Sequence, residues 1–493
     1  MDTFDEAQKR KKLTWPVIAL MDFVTVIGFD DIIYNFQNQG LAVVSDWILL
    51  LILFVVPYEL IVVQLGATFS DDGGGLSSWL RHTSGDRMGY TTAWCYWVVS
   101  LPYLVDVANS TVVSFAWLFK GHALSDKEMS NWAFALFTAI IFVIFIFFQH
   151  RFANSLQWLS IIGGGAMFIM TILFVIMTIV YLGEGRRIAT QPFHFKNFLP
   201  TFDMKFLMSL GLLIFAMNGA EFVAPYVTEM KDGPRNFPKA MYMLAIMTGF
   251  LTIFGSFALG VFFNAHHLPD DLKMNGSYYA FQAMGEKFGM GKFFLYTFII
   301  TQALYMLAQL AVLVDGGARI FLSDTAKKYL PKQLTKTDKN GLPINGYWLT
   351  TGICSVLLFL SATLPSVNDI FNQLLNLNGI VSPYVTGLLF WAFIKIRLHP
   401  EKFPSQYVFI KNKTFAVIVG WWCLIITVTG ATFGIVPIDA KAGSSTWWHM
   451  LILNIVEPLL MIGLGVLLPL IAKWQRKSCL LYTSDAADEG LGV

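Results

Sequence analysis

Thr25-Val26-Ile27-Gly28-Phe29-Asp30-Asp31 and Phe215-Ala216-Met217-Asn218-Gly219-Ala220-Glu221 are the two stretches that decide how this chain reads. Each interrupts a long apolar run, and each sets a glycine two residues ahead of an acid. A carboxylate inside a membrane is costly, so it faces a cavity, a partner or water and marks a pathway. Backbone can leave the helical state at membrane depth only where protein or a cavity satisfies its freed amides and carbonyls. One such glycine could serve only to let helices approach closely. Two, with acids at matched positions, point instead to a pair of broken helices whose free backbone ends hold a ligand's carboxylate and ammonium at mid-membrane.

The rest of the chain supplies the spans. Of its 493 residues 56% are hydrophobic and 13% charged, against about 25% charged in soluble domains. Apolar runs bounded by charge, Gly and Pro predict an all-α polytopic membrane protein of about twelve transmembrane helices. The spans fall at roughly 14–36, 46–69, 88–119, 131–149, 155–183, 206–228, 240–264, 293–322, 346–364, 368–394, 414–436 and 447–472. The two interruptions then lie in the first and sixth spans, which correspond if the chain is two five-helix repeats followed by two extra helices.

Even parity puts both termini on one side. With the N-terminus inside, that side collects 24 of the 34 Lys and Arg residues, so both ends are expected in the cytoplasm. The basic start, MDTFDEAQKRKKLTW, leads into a long span with no small-residue cleavage site and is not expected to be removed as a signal peptide. The predicted divisions are a cytoplasmic segment 1–13, a transmembrane domain 14–475 and a tail 476–493. From Ser478 the composition turns abruptly small and acidic without periodicity, so the tail is expected to be disordered or artefactual.

A net charge of +2 and aromatic residues set within apolar runs exclude a nucleic-acid partner. Cys95, Cys354 and Cys423 lie within spans and Cys479 in the tail, with no CxxC spacing. Neither a disulfide framework nor a metal site is expected, and no motif calls for a cofactor.

Other polar residues within the spans are Asp22, Glu59, Asp106 and Asp315, some of which would lie near an interface. Asn372, Asn376 and Asn378 in the tenth span suit interhelical hydrogen bonds. Gly163-Gly164-Gly165 in the fifth suits a packing face, and Ser70-Asp-Asp-Gly-Gly-Gly-Leu-Ser-Ser-Trp79 a turn into a short helix.

Taken in order, these patterns resemble the amino acid–polyamine–organocation superfamily, and within it the glutamate/GABA antiporter branch. The resemblance covers the chain to about residue 475. It rests on the Gly28 break and on Asp72-Gly-Gly-Gly-Leu-Ser-Ser-Trp79, which is similar to an EGG-x-Y-x-W loop. It rests also on Phe215 to Glu221, similar to a G-[VI]-E break, and on Thr228-Glu-Met-Lys-Asp-Gly-Pro-Arg-Asn-Phe-Pro-Lys-Ala240, similar to the segment that enters span seven. It implies an inverted 5+5 repeat of LeuT-like type with broken helices 1 and 6 and alternating access. It also implies substrate contacts at Thr25, Val26, Ile27, Gly28, Met217, Asn218 and Gly219, an aromatic gate at Phe215 and a gating acid at Glu221.

The chain departs from the pattern in several places. Gln64 replaces a common Glu, the Gly-Ser-Gly run is reduced to Gly28, and the fifth span has no Lys. Asp30 and Asp31 add charge beside the break, suited to a cationic amine or to protonation. The implied activity is a secondary transporter of amino acids, or of amines derived from them, working as an exchanger in a bacterial cell membrane. Its partners would be the substrate and the lipid bilayer, with a homodimer compatible. A proton- or sodium-coupled symporter is the alternative, although the eighth span offers no Ser or Thr over 311–318. A membrane enzyme is not expected: Asp315-Gly-Gly-Ala-Arg319 and His122-Ala-Leu-Ser-Asp126 each miss the spacing of a catalytic signature.

Overall fold

The computed structural model describes residues 13–70, 75–124, 128–151, 155–269, 271–323, 327–337, 344–437 and 440–476. All of the predicted tail but Arg476, and all of the predicted N-terminal segment but Leu13, lie outside these. Pro16 in the first turn opens α1 (Trp15–Val26), where a missing amide is tolerated. Ile27 then turns extended, at φ −149° and ψ 134°, and ends it. Extended Gly28 leads into α2 (Phe29–Gln39), which carries Asp30 and Asp31 in its first turn and stops at Gly40 with φ +61°. Neither piece alone is long enough to cross a bilayer. Placed end to end across the break, 12 and 11 residues reach the ~20 that a crossing needs.

Eleven further helices among the described residues are long and apolar enough to cross. They are α3 (Ala42–Thr68), α5 (Asp86–Lys120), α6 (Asn131–Gln149), α7 (Ser155–Gly183), the broken Met204–Glu229, α9 (Gly233–Phe262), α11 (Phe293–Leu322), α12 (Ile344–Ser361), α13 (Val367–Leu398), α14 (Lys413–Gly434) and α15 (Ser445–Arg476). The predicted spans coincide with these to within a few residues, except that several run a turn or more further. The short helix expected after the glycine loop is α4 (Leu76–Ser84), although Asp71 to Gly74 lie outside the described residues.

The sixth span is α8 (Met204–Phe215), opened by the Asp203 carboxylate accepting from the Phe206 amide at 2.9 Å. It is followed by a 3-10 segment, Ala220–Glu229. Between them Gly219 sits at φ +127°, a conformation open to glycine and strained for any other residue. An added Cβ there would also lie 3.3 Å from the Thr25 carbonyl oxygen in the other break. The two breaks therefore touch.

Burial orders the helices around them. In α5 89% of the most apolar window is buried, and in α15 only 17%. α5 thus runs through the middle of the bundle, and α15 lies at its edge, with Leu459, Leu460 and Leu467 exposed. Gly163 and Gly164 of α7 form a packing face, as expected, whereas a Cβ on Gly165 would meet nothing within 4 Å. A Cβ on Gly163 would meet the Leu304 carbonyl at 2.6 Å, and one on Gly164 would meet Val24 at 2.9 Å.

Leu13 and Arg476, the first and last of the described residues, lie with several loops on one face. Leu13 pairs with Glu229 and Lys231 through backbone hydrogen bonds of 2.9 and 3.1 Å, Lys328 pairs with Asp86 and Arg476 reaches the Lys328 carbonyl. We call this the proximal face. Opposite it, α10 (Leu272–Lys287), too polar to be a span, joins α9 to α11 across the distal face.

Candidate functional site

The polar interior falls into three tiers along the bundle axis. In the middle one, the breaks face a cavity of about 30 Å³ lined by Thr25, Val26, Phe215, Asn218, Gly219 and Glu221 of the broken spans, with Tyr96, Ser100 and Tyr103 of α5 opposite. Six of the eleven residues singled out from sequence thus meet in one space. It has room for a water but not for an amino acid, so this is a closed arrangement.

Each break is satisfied by a tyrosine from a neighbouring helix. The Tyr58 hydroxyl, from α3, accepts from the Gly219 and Ala220 amides at 3.0 Å each and donates to Glu221 Oε2. The Tyr305 hydroxyl, from α11, donates to the Ile27 carbonyl at 2.6 Å and lies 3.2 Å from that of Phe23. The Gly28 amide donates to Asp31 Oδ2 at 2.9 Å. Buried backbone groups must find partners, and here one phenol serves the amides of one break while another serves the carbonyls of the other. No sequence motif announced Tyr58 or Tyr305. The only signal was a hydroxyl within an apolar run.

Ile27, Gly28 and Met217 are buried behind the cavity rather than in its wall. Phe215 stands edge-on to Tyr103, with centroids 5.1 Å apart, on the cavity's rim. Asn218 donates through Nδ2 to Thr386 Oγ1 at 3.0 Å, while its Oδ1 is buried and makes no hydrogen bond among the described residues. Asp22 and Glu59 are both buried. Asp22 Oδ1 takes a 3.3 Å hydrogen bond from Thr25, and its Oδ2 makes none among the described residues.

The proximal tier is a charged latch. Asp315 accepts from Tyr226 at 2.5 Å, from Tyr347 and from Arg319 Nε at 2.8 Å. Arg319 Nη1 also donates to Glu229 at 2.7 Å, and its guanidinium lies over the Tyr226 ring at 4.9 Å. This ties the 3-10 half of the sixth span to α11 and α12. Asp315 was expected to matter; Arg319, four residues on in the same helix, is a partner the sequence offers, but Tyr226 and Tyr347 come from separate segments and were not legible.

In the distal tier, Asp30 and Asp31 lie with Asp106 of α5 around Lys273 of α10. Lys273 was missed because it falls in a polar connection and reads as one more surface charge, yet its side chain is only 1% exposed. Of the tenth-span amides, Asn376 accepts from Tyr34 at 3.0 Å, as interhelical glue would. Neither amide atom of buried Asn378 makes a hydrogen bond among the described residues.

This geometry can be set beside known proteins. An amino acid permease family model matches residues 11–457. The chain belongs to the amino acid permease family. This permease is 37% identical, over 95% of its own length and 96% of the relative's, to the aspartate/glutamate permease AcaP of Lactococcus lactis subsp. cremoris. It is 23% identical to the probable agmatine/putrescine antiporter AguD and 20% identical to the glutamate/gamma-aminobutyrate antiporter, both of Lactococcus lactis subsp. lactis; these matches cover 81% and 85% of the permease and 83% of each relative. Among solved structures, a point mutant of the Eremococcus coleocola manganese transporter matches at a TM-score of 0.59 and 12% identity, covering 93% of this chain and 94% of that one. At that identity the likeness concerns the fold, and it agrees with the all-helical, multi-span reading.

Proposed function

We propose that this permease is an amino acid exchanger of the bacterial cell membrane, with an acidic amino acid as its first substrate to test. The observation that carries this is the meeting of two broken spans at one small cavity, which Thr25, Asn218 and Glu221 line among mostly apolar neighbours. The relative at 37% identity, a permease for aspartate and glutamate, supports the substrate class, and the antiporters among the more distant relatives support exchange.

In this reading the substrate's α-carboxylate and α-ammonium take the backbone groups of the two breaks, around Thr25 to Gly28 and Met217 to Gly219. An inverted 5+5 repeat rocks about them. Phe215 over Tyr103 closes the cavity on the distal side. Glu221, through Tyr58, and the Asp315–Arg319–Glu229 latch close it on the proximal side, which we assign to the cytoplasm from the distribution of Lys and Arg. Asp30 and Asp31 serve as coupling acids. The protein has no catalytic step and needs no cofactor in this scheme.

Counterflow in proteoliposomes tests it. Labelled aspartate or glutamate outside should accumulate only when a matched unlabelled amino acid or amine is inside. Uptake that ignores the internal substrate and follows an imposed proton or sodium gradient would make the permease a symporter. No flux of any amino acid by well-folded protein would defeat the reading.

A further inference from the structure

The distal tier holds more acid than its lysine can neutralise. Lys273 Nζ lies 3.6 Å from Asp30 Oδ2 and 3.8 Å from Asp106 Oδ2, beyond hydrogen-bond reach of both. The ammonium, both Asp106 oxygens and Asp30 Oδ1 are buried and make no hydrogen bond among the described residues. The Lys273 and Asp106 side chains are each 1% exposed.

The three carboxyls are not equivalent. Asp31 has a local partner, accepting from the Gly28 amide in the first turn of α2. Asp30 and Asp106 are left to share one ammonium. The other ionisable groups around them are phenols: Tyr34 of α2, Tyr103 of α5, Tyr278 of α10 and Tyr305 of α11. None of these brings positive charge. Burial alone would pull the Lys273 ammonium down, but Asp106, Asp30 and Asp31 together hold it above its ordinary value, so it remains the single cation. With both carboxylates ionised, the trio would carry one uncompensated negative charge, and Asp106, at 1% exposure against 14% for the Asp30 side chain, is the carboxylate that water reaches least, where an unpaired charge is costly.

We propose that Asp30, Asp106 and Lys273 form a proton-binding site that holds one proton while the distal side of the permease is closed. A hydronium ion gives its proton to one carboxylate oxygen, an O–H bond forms and water leaves. Lys273 stays an ammonium, and the trio becomes neutral. The site is built to respond to opening because its members belong to three elements. α10 packs closely on α2, where a Cβ on Gly276 would stand 2.8 Å from Ile33 Cγ2 and where Asp30 lies beside the break, its Oδ1 only 2.4 Å from where a Gly28 Cβ would stand. Its ties to the distal end of α5 are Trp117 donating to Asn275 at 2.8 Å and the Ser114–Tyr278 pair at 2.7 Å. Movement of α2 and α10 away from α5 would separate Asp106 from Asp30 and Lys273, admit water and let the proton leave. The proton is thereby coupled to the same movement that would open the substrate cavity.

This inference rests on the exchanger reading for its role in transport, but the site itself can be tested on purified protein without transport. The infrared spectrum of the permease, titrated with acid and base, should contain the carbonyl stretch of a buried protonated carboxyl. Asp106→Asn leaves Asp30 and Lys273 as a charge-balanced pair, so it should fold; the band should lose the contribution of one carboxyl, and Glu221→Gln should keep that contribution. In proteoliposomes with an internal pH dye, substrate-driven proton movement should fall at least tenfold in Asp106→Asn, while counterflow at fixed pH persists. An unchanged band or unchanged proton movement in Asp106→Asn would overturn the proposal. Should Asp106→Asn not fold, Lys273→Gln is the substitute: it leaves two carboxylates without a cation and should add protonated carboxyl, and no change there would overturn the proposal equally. A band that behaves as expected in protein that moves no amino acid would uphold the site and reject the exchanger.

Discussion

Replacing Tyr58 by Phe removes one oxygen atom and three hydrogen bonds. The Gly219 and Ala220 amides lose their acceptor, and Glu221 loses its donor. A buried donor left without a partner costs about 1–3 kcal/mol, so the two amides alone cost about 2–6 kcal/mol before relaxation. Water entering the break would recover part of this, and we expect a net loss of about 3 kcal/mol. That corresponds to a shift on the order of a hundredfold against the closed arrangement. Glu221→Gln is the informative comparison. Its amide oxygen can still accept from Tyr58, and Tyr58 can still hold both backbone amides, so the break itself keeps its partners. Thermal melting of purified protein should therefore rank Tyr58→Phe well below Glu221→Gln, and counterflow should fall further in Tyr58→Phe. If Glu221→Gln proved as damaging as Tyr58→Phe in the melt, the phenol would not be the residue that satisfies the break, and the account of the sixth span would be wrong.

Arg319→Gln strips a partly buried cation from Asp315 and Glu229 and should cost about 2 kcal/mol; the expected readout is a lower melting midpoint with faster labelling of cysteines placed on the proximal side of the cavity, and an unaltered labelling rate would remove the latch from the mechanism. Gly219→Ala asks a side chain to adopt φ +127° with its Cβ 3.3 Å from the Thr25 oxygen, so it should cost about 1–3 kcal/mol and depress uptake, whereas wild-type melting and flux would show that the break relaxes freely. Gly28→Leu must displace the Asp30 carboxylate, whose Oδ1 lies 2.4 Å from the new Cβ; aspartate binding measured by calorimetry should be lost, and retention of binding would return Gly28 to a packing role.

The spans were legible because hydrophobic length is a local property: twenty apolar residues read the same in any context. The breaks were legible for a similar reason, since a glycine and an acid within an apolar run violate the local rule for a spanning helix. What lay beyond reading was partnership. Tyr58 and Glu221 are 163 residues apart in the chain, and Asp106 and Lys273 are brought together only because α10 folds back across the distal end of α5. Lys273 shows the limit most plainly. Its neighbours in sequence are those of a surface loop, and nothing short of the packing of α10 turns it into a buried charge. Asn378 errs in the other direction: the rule that a membrane amide finds a partner predicted a hydrogen bond that the described residues do not provide.

In the proposed site, the tyrosine at each break bears on how tightly a substrate would be held. Were the freed amides and carbonyls bare in the closed arrangement, an incoming carboxylate and ammonium would gain their full hydrogen-bonding energy and leave slowly. Here Tyr58 already satisfies two amides and Tyr305 satisfies a carbonyl, so a substrate that takes those groups exchanges one hydrogen bond for another. The net gain from such an exchange is small. A carrier needs that balance, because a site must bind well enough to fill and weakly enough to empty on the other side. It follows that Tyr305→Phe, which uncovers the Ile27 carbonyl, should tighten binding of the substrate ammonium while slowing its release. In counterflow this would appear as a lower half-saturating concentration together with a lower maximal rate. A fall in rate with no gain in apparent affinity would mean that Tyr305 only supports the fold of the first break.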